Sequence, residues 1–148
     1  MLKEFFAAHF HPQTHTRRQW LTNSLNYYLA CVYFNAFPIP QREAGARHAL
    51  HYMGDLTTNG WSILIFPEGV RAATGDIQLF RGGVGMIASR LDVPVIPVRL
   101  DGLDRVLHTT WRMARPGRVR VAFGAPLRLR GENYAALARQ VEEQVRQL

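Results

Sequence analysis

Residues 63–71, Ile-Leu-Ile-Phe-Pro-Glu-Gly-Val-Arg, constrain this chain more than any other stretch. An apolar run the length of one buried strand stops at Pro67, whose ring removes the N–H that a β-ladder would use. Gly69 lets the backbone turn and approach a ligand closely. Arg71 then offers a planar fork of donors suited to phosphate oxygens. A polar loop at the tip of a buried strand is where open α/β sheets hold their ligands.

The rest of the chain reads as helices alternating with short apolar strands. The first forty residues are expected to be helical, with Trp20, Leu21, Leu25, Tyr28, Leu29 and Val32 near a 3.6-residue period, until Pro38 and Pro40 end the segment. A second helix is expected over residues 43–58, with Ala46, Ala49, Leu50, Met53 and Leu56 on its apolar side and Asn59-Gly60 as its stop. Residues 61–66 read as a continuous apolar strand of the buried, parallel type. After a polar loop at Thr74-Gly75-Asp76, residues 82–91 read as a helix opened by two glycines, and residues 94–100 as a strand closed by an Asp101-Gly102 turn. In residues 118–123 Val119, Val121 and Phe123 fall on one face. An amphipathic helix follows Asn133, with Tyr134, Leu137, Val141, Val145 and Leu148 at three- and four-residue steps. This order predicts an α/β fold with a central, mixed or mostly parallel sheet flanked by helices.

A length of 148 residues fits one domain, residues 1–148. The formal net charge of +7, carried almost wholly by arginine since Lys3 is the one lysine, favours anionic partners: phosphate esters, acidic lipid surfaces or nucleic acid. The single cysteine, Cys31, forms no internal disulfide and points to a reducing compartment. No secretory signal and no apolar stretch of spanning length is present. The aromatic-rich residues 27–37, preceded by Arg17, Arg18 and Trp20, suit either a helix buried on the sheet or a helix lying at a bilayer surface.

Four segments, in order, resemble the phospholipid/glycerol acyltransferase family of the lysophosphatidic acid acyltransferase type. Phe66-Pro67-Glu68-Gly69-Val70-Arg71 is similar to its Phe-Pro-Glu-Gly-Thr/Ser-Arg block, and Val93-Pro94-Val95-Ile96-Pro97-Val98 to its Val-Pro-Val-Ile-Pro-Val block. Phe80-Arg81-Gly82-Gly83, with Ala88, is similar to the Phe-Lys/Arg-x-Gly start of the helix between them. Phe37-Pro38-Ile39-Pro40-Gln41-Arg42 looks like the family segment that ends in an arginine. The family's catalytic block, a histidine, four intervening residues and an aspartate, has no counterpart, because no histidine here is followed five positions later by aspartate. His51 and Asp55 come nearest, one residue too close and on the wrong side of Arg42. The resemblance therefore implies a glycerol-phosphate acyltransferase-like domain missing its amino-terminal part, with the catalytic residues unknown. The loss of its first strands would leave an apolar edge and favour self-association.

The resemblance further implies transfer of a fatty acyl group from acyl-CoA or acyl-carrier protein, as co-substrate with no other cofactor, to the hydroxyl of a lysophospholipid or glycerol phosphate. Phe66, Pro67, Glu68, Gly69 and Arg71 would form the acceptor loop, with Arg71 on the phosphate and Arg42 as a second contact. Val70 and Ala72 stand where the family commonly has hydroxyl residues. A peripheral position on the cytoplasmic face of a membrane follows, without a spanning helix. Two other classes are weighed: a non-catalytic module binding lipid phosphate, and a nucleic-acid binder. The latter rests on charge alone, and few aromatics interleave with Arg112, Arg115, Arg118, Arg120, Arg128 and Arg130, so nucleic acid is not expected as a partner. His9, His11 and His15 lack cysteines or carboxylates at ligand spacing, so no metal site is expected.

Overall fold

The computed structural model describes residues 16–37, 43–69, 75–108, 110 and 113–148. It divides into two units, residues 1–53 and 54–148. The first contains helix α1 (Arg17–Phe34) and most of helix α2 (Glu43–Thr58). Thr16 starts α1, its N–H and hydroxyl both donating to Gln19 Oε1 at 3.3 and 2.7 Å. The helix ends at Asn35, which takes the left-handed conformation (φ 48°), ahead of Pro38. Pro38 and Pro40, assigned the stop from sequence, lie outside the described residues.

The apolar positions expected to bury one side of α1 are instead exposed. Leu21, Leu25, Tyr28, Leu29 and Val32 all face outward, as do Tyr33 and Phe34. Polar Thr22, Asn23, Ser24 and Asn26 fill the first half of the helix while residues 27–34 are apolar all round, so α1 carries no single apolar stripe.

Helix α2 has the bounds read from sequence. Its Ala49 and Met53 are buried and Leu50 and Leu56 half-buried. It closes with Gly60 N–H on Thr57 O and Trp61 N–H on Leu56 O, 3.1 and 3.0 Å, with Gly60 at φ 80°. That is the paired C-terminal bonding in which a left-handed glycine satisfies the last carbonyls.

In the second unit, residues 61–66 do not form the buried strand that the apolar run predicts. They lie outside any strand, with Trp61, Leu64 and Phe66 exposed and Ile63 and Ile65 half-buried. A buried parallel strand needs a neighbour on each edge and a layer on each face, and among the described residues the β-pairing occurs elsewhere. Strand β1 (Val98–Asp101) pairs antiparallel with β2 (Arg120–Phe123), Val98 opposite Phe123 and Leu100 opposite Val121. A bridge between Val95 and Leu127 extends the ribbon. Gly124 N–H donates to Pro97 O at 2.8 Å, while Pro94 and Pro97 supply no N–H of their own and keep the ladder discontinuous. Helices and a small two-stranded antiparallel sheet are thus what the described residues form. Gly102 (φ 80°) turns the chain out of β1 as anticipated and starts α4 (Leu103–Val106), a short helix that periodicity does not reveal. Val121 and Phe123, two residues apart on β2, are exposed, as is Val119 just before the strand.

The core lies between α3 (Gly83–Leu91) and α5 (Tyr134–Gln147). Ala88, Leu129, Leu137, Val141 and Val145 form it, with Ile77, Phe80, Val95, Leu127 and Tyr134 packed around. Burying each Leu or Val contributes roughly 1.5–3 kcal/mol. The stripe on α5 is the one its spacing predicts, and Asn133 caps that helix by accepting Ala136 N–H at 3.1 Å. The two helices touch at Gly85, where a Cβ would run into Tyr134 O and lie 2.9 Å from Leu137 Cβ.

Gly85→Ala should therefore lower stability by about 2 kcal/mol, as added bulk does in a filled core. Gly83→Ala, where a Cβ meets nothing within 4 Å, should be neutral or slightly stabilising. Urea midpoints for the two variants check the contrast.

Candidate functional site

Phe66-Pro67-Glu68-Gly69 is a tight turn. Gly69 N–H donates to Phe66 O at 3.2 Å, closing four residues with proline second, where its fixed φ suits the bend. Gly69 takes φ 67°, a conformation that a residue with a Cβ adopts only at a cost. Phe66 is exposed, Pro67 and Glu68 half-buried, and Gly69 open to solvent.

Two further bonds hold this turn against the segment that leads into α3. Arg81 N–H donates to Pro67 O at 3.0 Å, and Glu68 Oε2 accepts Gln78 N–H at 2.9 Å. Glu68 thus braces the loop through backbone. The bracing segment is in turn fixed by α5. Glu142, buried there, accepts Phe80 N–H on Oε2 at 2.9 Å and pairs through Oε1 with Arg146, one turn on, at 2.9 Å. Arg146 Nη2 then donates to Ile77 O at 2.8 Å. A continuous path of hydrogen bonds therefore runs from the carboxyl-terminal helix through residues 77–81 to the Pro-Glu-Gly turn. The Phe80 N–H holds the Glu142 carboxyl below the usual glutamate range; burial opposes this, and the Arg146 bond adds to it.

Above the turn lies Arg81. Its side chain crosses the face of Gly69 so closely that a Cβ on Gly69 would stand 2.8 Å from Nε and 3.0 Å from Cζ. The glycine thus serves two needs, a left-handed backbone and room for a guanidinium.

Of the site residues expected from sequence, Phe66, Pro67, Glu68 and Gly69 are together in this turn. Arg42 and Arg71 lie outside the described residues, as do His9, His11 and His15. His51 and Asp55 both lie exposed on α2. His108 Nδ1 sits 2.8 Å from Thr110 Oγ1 and 3.3 Å from Thr110 N, an accepting role inside its own loop. Among the described residues no group of three or more His, Cys, Asp or Glu is placed to hold a metal, and no helix is long and apolar enough to cross a membrane. A cleft of about 560 Å³ opens instead at the end of the β-ribbon. Asp76, Asp101 and Asp104 face Arg105, Arg118 and Arg120 there, so neither sign of charge is concentrated.

A sequence model of the family described as Acyltransferase matches residues 6–101, well over half of the 148. The chain belongs to the acyltransferase family. The matched span contains the turn, its bracing segment and α3. The chain is 34% identical over 74 residues to a chloroplastic 1-acyl-sn-glycerol-3-phosphate acyltransferase of Brassica napus, 49% of this chain and 22% of that protein. It is 34% identical over 71 residues to a 1-acyl-sn-glycerol-3-phosphate acyltransferase of Cocos nucifera, 45% of this chain and 22% of the relative. A chloroplastic 1-acyl-sn-glycerol-3-phosphate acyltransferase of Arabidopsis thaliana is 31% identical over 74 residues, 49% and 21% respectively. The match thus spans about a fifth of these relatives. No solved structure matches the chain.

Sequence reasoning gave Glu142, Arg146 and Gln78 no role. The i,i+4 spacing of Glu142 and Arg146 on a helix was the available signal, but their partners on residues 77 and 80 are more than sixty positions away. Glu142→Ala should cost about 1–3 kcal/mol by leaving the part-buried Phe80 N–H without its acceptor. Because the native carboxyl is depressed, its contribution is complete above the unfolded value of about 4.3 and is lost as pH falls through the lower native value. Glu142→Gln should therefore flatten stability between about pH 5 and 2, measured by urea denaturation across that range.

Proposed function

We propose that this chain supplies the acceptor-binding part of an O-acyltransferase that moves a fatty acyl group from acyl-CoA or acyl-carrier protein to the hydroxyl of a lysophospholipid or glycerol phosphate, in phospholipid biosynthesis. What supports the reading is the family match over residues 6–101, joined by relatives named 1-acyl-sn-glycerol-3-phosphate acyltransferases. In this proposal residues 1–148 act as one acyltransferase domain with a central, mixed or mostly parallel sheet flanked by helices. Phe66, Pro67, Glu68 and Gly69 shape the acceptor loop, while Arg71 and Arg42 contact the phosphate.

Acyl transfer to a hydroxyl needs a base near that hydroxyl and a fixed acceptor. The braced turn provides the fixing: its carbonyl and carboxylate are already bonded to residues 78 and 81, so the loop reaches the ligand preorganised. A second reading, binding of lipid phosphate without transfer, draws on the absence within this chain of a histidine and aspartate at the family's catalytic spacing. An assay of thioester consumption together with equilibrium binding separates the two. Both expect lysophosphatidic acid to bind and Arg71→Ala to weaken it roughly 10- to 150-fold, the loss of one charge-assisted hydrogen bond; turnover favours the first.

The same proposal places the protein peripherally at the cytoplasmic face of a membrane. Helix α1 begins at Arg17 and Arg18 and exposes Trp20, Tyr28, Tyr33 and Phe34, a composition that suits the headgroup region. Replacing Trp20, Tyr33 and Phe34 together by Ala should reduce co-sedimentation with anionic phosphatidylglycerol vesicles at least about tenfold, while leaving lysophosphatidic acid affinity in solution unchanged.

A further inference from the structure

We propose that Arg81 is a further anion-binding residue of the acceptor loop, and that it contributes to the preference for phosphorylated over unphosphorylated acceptors. The inference rests on the functional reading above and names a residue that the reading does not use. Three observations carry it. Arg81 is anchored by its own backbone, whose N–H donates to Pro67 O at 3.0 Å, so its Cα is fixed relative to the turn. Its guanidinium is laid over Gly69, in space that exists because residue 69 has no Cβ. Its charge is uncompensated among the described residues: the carboxylate of the turn, Glu68, bonds to the Gln78 N–H, and the ion pairs of that unit are made by Arg99, Arg130 and Arg146.

An exposed guanidinium held at a turn whose carboxylate is bonded to the Gln78 N–H presents a planar, multiply donating cation to whatever enters over Gly69. The chemistry that such a fork recognises is an oxyanion, above all a phosphate monoester, which accepts two parallel N–H bonds. Its retention at the loop depends on Gly69 as much as on Arg81, because any Cβ at residue 69 displaces the side chain.

The test uses the full chain with lysophosphatidic acid below its micellar concentration, the monoacylglycerol of the same acyl chain, and inorganic phosphate as competitor. Arg81→Ala and Arg81→Gln should each weaken lysophosphatidic acid about tenfold or more, leave monoacylglycerol binding and the thermal transition unchanged, and reduce the salt dependence of affinity. Arg81→Lys should recover part of the loss. Competition by inorganic phosphate that Arg81→Ala weakens about tenfold or more would support a phosphate subsite. Competition by inorganic phosphate that is undiminished in Arg81→Ala would overturn it. If Arg71→Ala weakens lysophosphatidic acid and the Arg81 variants do not, the inference fails and the functional reading stands. Equal loss for both lipids would make Arg81 a structural residue and also overturn the inference. If neither Arg71→Ala nor the Arg81 variants alter binding, both fall.

Discussion

Order around the candidate site depends on the carboxylate of Glu142. Among the described residues it is the buried charge of the second unit, and both of its oxygens are committed, one to the Phe80 N–H and one to Arg146. A carboxylate taken out of water is tolerated only when it is paired and hydrogen-bonded in this way. Arg146 is thereby positioned to bond Ile77 O, so residues 77 and 80 are clamped to α5 at two points. The Pro-Glu-Gly turn is bonded to residues 78 and 81, between and just beyond those points. The turn is thus ordered at second hand, by a helix more than sixty residues further along the chain.

Helix α5 can serve as that anchor because its other contacts are apolar and close. Leu137, Val141 and Val145 pack with Ala88 of α3 and with Leu129, and Gly85 brings the two helix backbones together. Arg81 lies just before α3, so the packing that fixes α3 also fixes the residue that reaches across Gly69. The arrangement is a rigid support beneath a small polar loop, the usual condition for a loop to hold a ligand in one geometry.

The elements with the strongest local signal were legible. Helix α2 stops where Asn59-Gly60 says it must, and the α5 stripe is buried where the spacing of Leu137, Val141 and Val145 puts it. Hydrophobicity alone is a weaker guide to burial: the apolar run at residues 61–66 reads as a buried strand, and the aromatic-rich part of α1 suits either a buried helix or one at a bilayer surface. In the structure Leu64, Phe66, Val32 and Phe34 are exposed. A strand and a stripe are properties of neighbours, and no short segment encodes whether its neighbours are in place. The antiparallel ribbon of β1 and β2 was missed for the same reason, since an apolar strand carries no label for the direction of its partner.

The sequence alone determined the turn: proline to end pairing, glycine for the left-handed backbone, and the family blocks around it that mark an acyltransferase. Those are consequences of single-residue stereochemistry and need no long-range contact. The tertiary structure decided what surrounds the turn. It turned Glu68 to the backbone, laid Arg81 over Gly69, and bonded the intervening segment to α5 through Phe80 N–H on Glu142 and Arg146 on Ile77 O. Each of those is a hydrogen bond or a close approach between groups brought together by packing α3 on α5, and side-chain direction in such contacts is set by the packed neighbours, not by position in the chain.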